Sequence, residues 1–219
     1  MVFTKAYPLP DFDRREIMRY AGVKEEEPTM ECELDRCLAL CSGAFHGKVC
    51  YSRVPVKADG DAVIMPFAVM KSAALAKNLS GCDEAAVFAA TVGAEIDRLI
   101  RRYSAVDVAT AVWLQAIGAE RAEALCGVFC NELEALVARE GRHIRPRFSP
   151  GYGDLSITVQ RELTDFLDCR RKIGVTLGEN MLMSPGKSVT AIVGIGVEPC
   201  GEGGGCGACE KTDCEYRNR

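Results

Sequence analysis

Apolar positions recur along this chain at helical spacing in some stretches and at strand spacing in others. Residues 11–20 read as a short helix that Asp11 or Asp13 caps and Gly22 stops. After a charged break at 25–28, residues 30–41 predict a second helix, with Leu34, Cys37, Leu38 and Cys41 on one face. The stretch 48–56 alternates, with Val49, Tyr51, Val54 and Val56 as strand formers. A turn at 58–61 then makes 62–65 its returning partner strand. Residues 72–79 read as helix. The continuous apolar run 85–91, beside Gly81 and Gly93, predicts a buried strand.

The longest helical signal comes next. Ile96, Leu99, Ile100 and Tyr103 share a face, with Asp97 and Arg101 as an i,i+4 pair outside. Val112, Ala116, Ala119, Ala122, Cys126, Phe129, Leu133 and Leu136 continue at spacings of three and four, a stripe of mostly small residues suited to close packing. Gly118 is the candidate break between two helices. The chain turns irregular from Gly141 to Asp154. Residues 158–167 then read as helix, and 174–177 and 188–195 as strands. From Pro199 the chain is rich in Gly and Cys and has no packed element of its own. Helices and hairpin-like strands mix without a βαβ rhythm, so the fold class is α+β.

Composition narrows the function. The 219 residues are 48% hydrophobic, enough for a sizeable core, and carry a net charge of −4. With pI near 5.4 and 7% aromatics, neither a basic nucleic-acid surface nor a stacking platform for single strands is expected. The apolar runs 85–94 and 189–197 are about half the ~20 residues of a spanning helix, so no membrane partner is expected. The N-terminus lacks the apolar stretch of a signal peptide, and the expected location is cytoplasmic. Twelve cysteines are many for a reducing compartment, where a disulfide framework is not expected. Cys37 with Cys41, and Cys126 with Cys130, are one helical turn apart and read as small core residues. Neither His46 nor His143 sits in an Asp-x-His-x-x-Gly arrangement; both read as surface or helix-end histidines.

The segment Arg147-Phe-Ser-Pro-Gly-Tyr-Gly-Asp154 carries the chemistry. Arg147 offers a fork of donors to a carboxylate. Pro150 stiffens the turn, Gly151 lets a ligand approach the backbone, and Tyr152 adds a flat face with a hydroxyl. By itself such a loop is more often structural than functional.

Arg147-x-x-x-Gly151-Tyr152 resembles the Arg-x-x-x-Gly-Tyr signature of the activation (reactivation) domain of cobalamin-dependent methionine synthase. Ile173-Gly-Val-Thr-Leu-Gly-Glu-Asn-Met-Leu-Met-Ser-Pro185 follows in the right order. It resembles that family's Gly-x-x-Leu-Thr-Glu-Ser-x-x-Met-x-Pro block and runs on into Ser188-Val-Thr-Ala. Met18-Arg-Tyr-Ala-Gly22, Val87-Phe-Ala-Ala-Thr-Val-Gly93 and Ile96-Asp-Arg-Leu-Ile-Arg-Arg-Tyr103 are similar to stand-alone versions of the module, so the resemblance covers about residues 10–197. It implies helices packed on a mainly antiparallel twisted sheet.

It also implies a S-adenosylmethionine site. Arg147 would hold the carboxylate, the main chain at Ser149 and Gly151 would line the ligand with Tyr152 beside it, and Glu179, matching the family's Leu-Thr-Glu glutamate, would belong to the same set. The family often has an aromatic pair where this chain has Ile192 and Val193, and Gly178 and Asn180 replace its Thr and Ser. The implied activity is reductive reactivation of a corrinoid methyltransferase: an oxidised cob(II)alamin, held on a partner chain, is reduced and methylated by S-adenosylmethionine. The implied partners are a corrinoid-binding methionine synthase or related methyltransferase, and reduced flavodoxin or ferredoxin as electron donor. The protein's part would be positioning, so no catalytic residue is assigned. The alternative is a non-catalytic accessory or electron-transfer module for another corrinoid methyltransferase.

Two domains are expected, 1–197 for the ligand and 198–219 for the tail. Cys200, Cys206, Cys209 and Cys214 have the count and crowding of a four-thiolate site, for zinc or an iron–sulfur cluster. A zinc-stapled or simply unstructured tail is the plainer alternative. Gly203-Gly-Gly-Cys-Gly-Ala is not a phosphate loop, because too little chain follows for the helix such a loop needs.

Overall fold

The computed structural model describes residues 1–23 and 28–198. Its strands are β1 (Phe3–Tyr7), β2 (Gly47–Pro55), β3 (Lys57–Asp59), β4 (Ala62–Met65), β5 (Ala68–Lys71), β6 (Cys82–Thr91), β7 (His143–Ile144), β8 (Thr176–Leu177), β9 (Met183–Ser184) and β10 (Ser188–Gly196). Its helices are α1 (Arg14–Tyr20), α2 (Pro28–Leu40), α3 (Ala73–Asn78), α4 (Glu95–Ser104), α5 (Val108–Ala138), α6 (Val159–Phe166) and α7 (Cys169–Ile173). Five strands form a sheet in the order β1-β2-β6-β10-β7; β3-β4-β5 and β8-β9 make two small sheets. The β1–β2, β10–β7, β3–β4, β4–β5 and β8–β9 pairings are all antiparallel. The fold is α+β, with helices packed on an antiparallel sheet.

The chain divides into two compact units. The first takes Met1–Ser52, Phe88–Asn131 and Gln160–Thr190. There Phe129 of α5 packs among the rings of Tyr7, Tyr51 and Phe88, with centroids 6.4, 5.1 and 4.7 Å away. These contacts set the helix on the strands, through aromatic pairs in tilted and edge-on geometry. Asp13 caps α1 by accepting from the backbone N–H of Glu16, as its place before the helix predicts. Cys37, Cys41 and Cys126 are buried core residues, and burial pushes the Cys41 thiol up to about 12.

Gly118 does not break a helix. The break falls after α4, and α5 continues for 31 residues with Gly118 inside it. A side chain there would meet Lys187 at 3.0 Å and Ile96 at 3.1 Å, so this glycine answers to close packing. α5 is buried on several faces around its middle, at Leu114, Ile117, Arg121, Leu125 and Cys126. The stripe read from sequence is one part of that burial, and its ends, Val112 and Leu136, are exposed. Asp97 accepts from the backbone N–H of Gly186 at 2.6 Å.

The second unit takes Arg53–Val87, Glu132–Val159 and the described residues from Ala191. The turn at 58–61 closes a hairpin between β3 and β4, so 62–65 pairs with the short β3 and with β5. It does not return along the strand that begins at 47. Arg53 and Arg142 share the carboxylates of Glu84, Glu140 and Asp83 in one ion-pair cluster. β10 pairs with β7 through Ile195↔Ile144, and the ladder continues as Arg145 N–H donates to Gly194 at 2.8 Å.

Candidate functional site

The Arg147 loop is fastened to β10. Phe148 and Ile192 exchange backbone hydrogen bonds of 2.9 and 2.8 Å in an isolated antiparallel bridge. Arg147 itself is exposed, while Phe148 and Pro150 beside it are buried. The chain then turns sharply: Tyr152 N–H donates to Ser149 O at 3.1 Å, and Gly151 N–H donates to Leu155 O at 2.9 Å. Gly151 has φ of 86°, in the left-handed region, and a side chain there would meet Ile157 at 3.1 Å. The loop therefore needs this glycine for its own closure. The ring of Tyr152, 54% exposed, stands edge-on to Phe148 at 5.3 Å.

Asp154 closes the loop from the other side. Its carboxylate accepts from the backbone N–H groups of Ala73 and Ala74 and from the Ser72 hydroxyl, at the start of α3. The Ser72 hydrogen bond, with those N–H groups, holds the Asp154 carboxyl below its ordinary range. Ser72 is meanwhile the N-cap of α3, accepting from Leu75 N–H at 3.0 Å. The motif loop is thus tied at one end to a sheet edge and at the other to a helix start. The sequence reading included Asp154 in the segment but missed this role; its signal was a carboxylate next to a tight turn, with Ser72 at a helix start elsewhere.

Arg147, Ser149, Gly151 and Tyr152 are brought together on this one loop. Glu179 lies in the other unit, exposed in the loop between β8 and β9. That hairpin is closed by Gly178 N–H donating to Leu182 O at 2.9 Å. The buried Gln160 of α6 holds it, donating to Met181 O at 2.7 Å while accepting from the Thr190 hydroxyl at 3.4 Å. Ile192 and Val193, where the family often has aromatic residues, are both fully buried in β10. The cysteines Cys200, Cys206, Cys209 and Cys214 lie outside the described residues, among which no cluster of His, Cys, Asp or Glu could hold a metal. The chain leaves β10 beside Cys82, whose sulfur would stand 3.4 Å from a side chain at Gly196.

The first unit also contains a groove of about 880 Å³ that sequence reasoning did not find. Tyr7, Phe12, Phe45, His46, Lys48 and Arg121 are among its walls. Phe12 and Phe45 meet edge-on at 6.1 Å, and the Arg121 guanidinium lies 4.1 Å over the Phe12 ring. These residues come from three separate stretches of chain, and no local spacing links them.

Fold and loop together define an α+β domain that presents an exposed arginine, Arg147, and an exposed tyrosine, Tyr152, on one braced loop. The family model for the vitamin B12 dependent methionine synthase activation domain matches residues 71–215, about two thirds of the chain, and the chain belongs to that family. The match runs past β10 and takes in the cysteine tail that the motif resemblance left outside. In all, 13 solved chains match the fold. One is a crystal structure of the MetH reactivation domain bound to AdoHcy, with TM-score 0.63 and 16% identity, covering 88% of this chain and 78% of that one. At that identity the likeness is one of fold. No curated protein matches the chain. No helix among the described residues is long and apolar enough to cross a membrane.

Proposed function

We propose that this chain binds S-adenosylmethionine and presents its methyl group to a corrinoid held by a partner methyltransferase, the reactivation half-reaction of methionine synthase. The observation that carries the reading is the Arg147–Tyr152 turn, inside the family match and braced at both ends. Arg147 takes the ligand carboxylate through charge-assisted hydrogen bonds. The backbone N–H groups of Gly151 and Tyr152 are already used within the loop, so the main chain at Ser149 and Gly151 lines the ligand by shape and carbonyls. Tyr152 offers its exposed ring. The fold neighbour's AdoHcy is what S-adenosylmethionine becomes after losing the methyl group, which agrees with this assignment.

In the reaction, an electron from a reduced flavodoxin or ferredoxin converts cob(II)alamin to cob(I)alamin. The cobalt then takes the methyl group and S-adenosylhomocysteine leaves. Methyl transfer makes the unfavourable reduction proceed. This chain contributes alignment and exclusion of water, and no side chain needs to move a proton. The tail, as a separate segment at 198–219, holds zinc or an iron–sulfur cluster through Cys200, Cys206, Cys209 and Cys214; a cluster would provide a relay for the electron.

Calorimetric titration of S-adenosylmethionine into the wild type and Arg147→Ala tests the reading. Saturable binding that weakens roughly 10–100-fold in the variant is expected, the value of a charged hydrogen-bonded pair. A folded wild type that takes up no ligand, alone or with its corrinoid partner, would defeat it. The second reading, an accessory without catalysis, is favoured by the burial of Ile192 and Val193 where the family often has aromatic residues. It predicts partner binding without S-adenosylmethionine.

A further inference from the structure

Two thiols in the first unit have no part in the ligand loop. Cys50 on β2 and Cys169, the first residue of α7, are fully buried with their sulfurs 3.8 Å apart. They are 119 residues apart in sequence, so the contact is made by the fold. Cys37 and Cys41, by contrast, are neighbours on one helical stretch and fill core. The two thiols share one contact in which either sulfur can be the donor, and burial acts on both to hold them as thiols.

α7 is built to give way. It has five residues, and left-handed residues flank it, Asp168 with φ of 49° and Gly174 with φ of 75°. Asp168 makes no side-chain capping bond. A helix this short opens at lower cost than the long, buried α5. Its last residue, Ile173, lines the 880 Å³ groove, and the chain beyond it carries the Glu179 hairpin.

We propose that Cys50 and Cys169 form a reversible disulfide that fastens α7 to β2 and so fixes the Ile173 wall of the groove. The sulfurs must close from 3.8 Å to about 2.05 Å, a movement that side-chain rotation and a small shift of α7 supply. The oxidant is a small-molecule disulfide such as oxidised glutathione. One thiolate of the pair attacks it and releases one reduced thiol. The other thiolate then attacks the protein sulfur of the mixed disulfide and releases the second. Two electrons pass to the glutathione, and the two protein thiol protons end on the released thiols. Excess reduced thiol reverses both steps. The site is independent of the ligand reading, and its test uses no S-adenosylmethionine.

The full chain is equilibrated in glutathione buffers stepped from reduced to oxidised, quenched in acid, alkylated after denaturation and peptide-mapped. The expected product is a cross-linked peptide pair containing Cys50 and Cys169. It forms while the protein is folded and disappears on return to reduced buffer. The linked protein should melt roughly 10 °C higher, since the bond closes a loop of over a hundred residues. Cys169→Ser should remove both the cross-link and the melting shift. Cys126→Ala, which removes another buried thiol, should leave both in place and controls for general loss of packing. Recovery of Cys50 and Cys169 as free alkylated thiols from the most oxidised buffer overturns the proposal. So does a cross-link that forms only after denaturation, or one joining Cys50 indifferently to several partners.

Discussion

Arg121 shows how much one residue can organise. It is among the most deeply buried side chains of the chain, with its charge met by adjacent Glu120 at 2.5 Å. Its other donors reach the backbone carbonyls of Pro10 and Asp11, at 2.5 and 3.0 Å. Glu120 in turn accepts from the backbone N–H of Asp13 at 3.3 Å. The pair thus fixes the segment that enters α1 and forms a wall of the groove. A buried ion pair is costly to half-remove, because the survivor keeps its desolvation cost without a partner. Glu120→Gln is expected to destabilise the protein by about 3–5 kcal/mol in chemical denaturation. Glu120→Gln combined with Arg121→Met should lose much less than the sum of the two single changes.

Among the elements, α5 separates two glycines that look alike in sequence. Gly127 has open space where a side chain would go, while Gly118 is crowded by Lys187 and Ile96. Replacing a helical glycine by alanine gains up to about 1 kcal/mol when nothing is struck. Gly127→Ala should therefore raise stability by about that amount. Gly118→Ala should gain less or lose, because Ile96 is fully buried and cannot move aside as the Lys187 chain can. Thermal melts of the two variants give the comparison directly. Equal gains would mean that Gly118 is not a packing glycine.

The functional prediction belongs to the whole molecule and its partner. A corrinoid methyltransferase poised as cob(II)alamin, given a low-potential reductant and S-adenosylmethionine, should form S-adenosylhomocysteine in step with methylated corrinoid only when this chain is added. Arg147→Ala should slow that reaction at subsaturating ligand by roughly the 10–100-fold lost in affinity. Iron, sulfide and zinc analysis of the anaerobically purified chain, run beside it, decides the tail. Metal bound in proportion to protein supports the four-thiolate site, and its absence removes the relay.

The sequence by itself determined most of the larger elements, because their signals are local. Periodic apolar residues marked α4 and α5, the capping aspartate marked α1, and the unbroken apolar run marked β6. It also determined the Arg147-to-Tyr152 loop and the family, since both rest on ordered motifs. β1 escaped notice because it is an edge strand with four of its five residues exposed, and so has little apolar signal. β5, β9 and α7 are too short to show a period. Only the tertiary structure decided that 62–65 pairs with β3 and β5, that Gly118 lies within a continuous helix, and that Asp154 braces the Arg147–Tyr152 loop. The groove and the Cys50–Cys169 contact belong to the same class. Each depends on residues far apart in the chain, whose meeting is fixed by packing of the whole core, which no local spacing encodes.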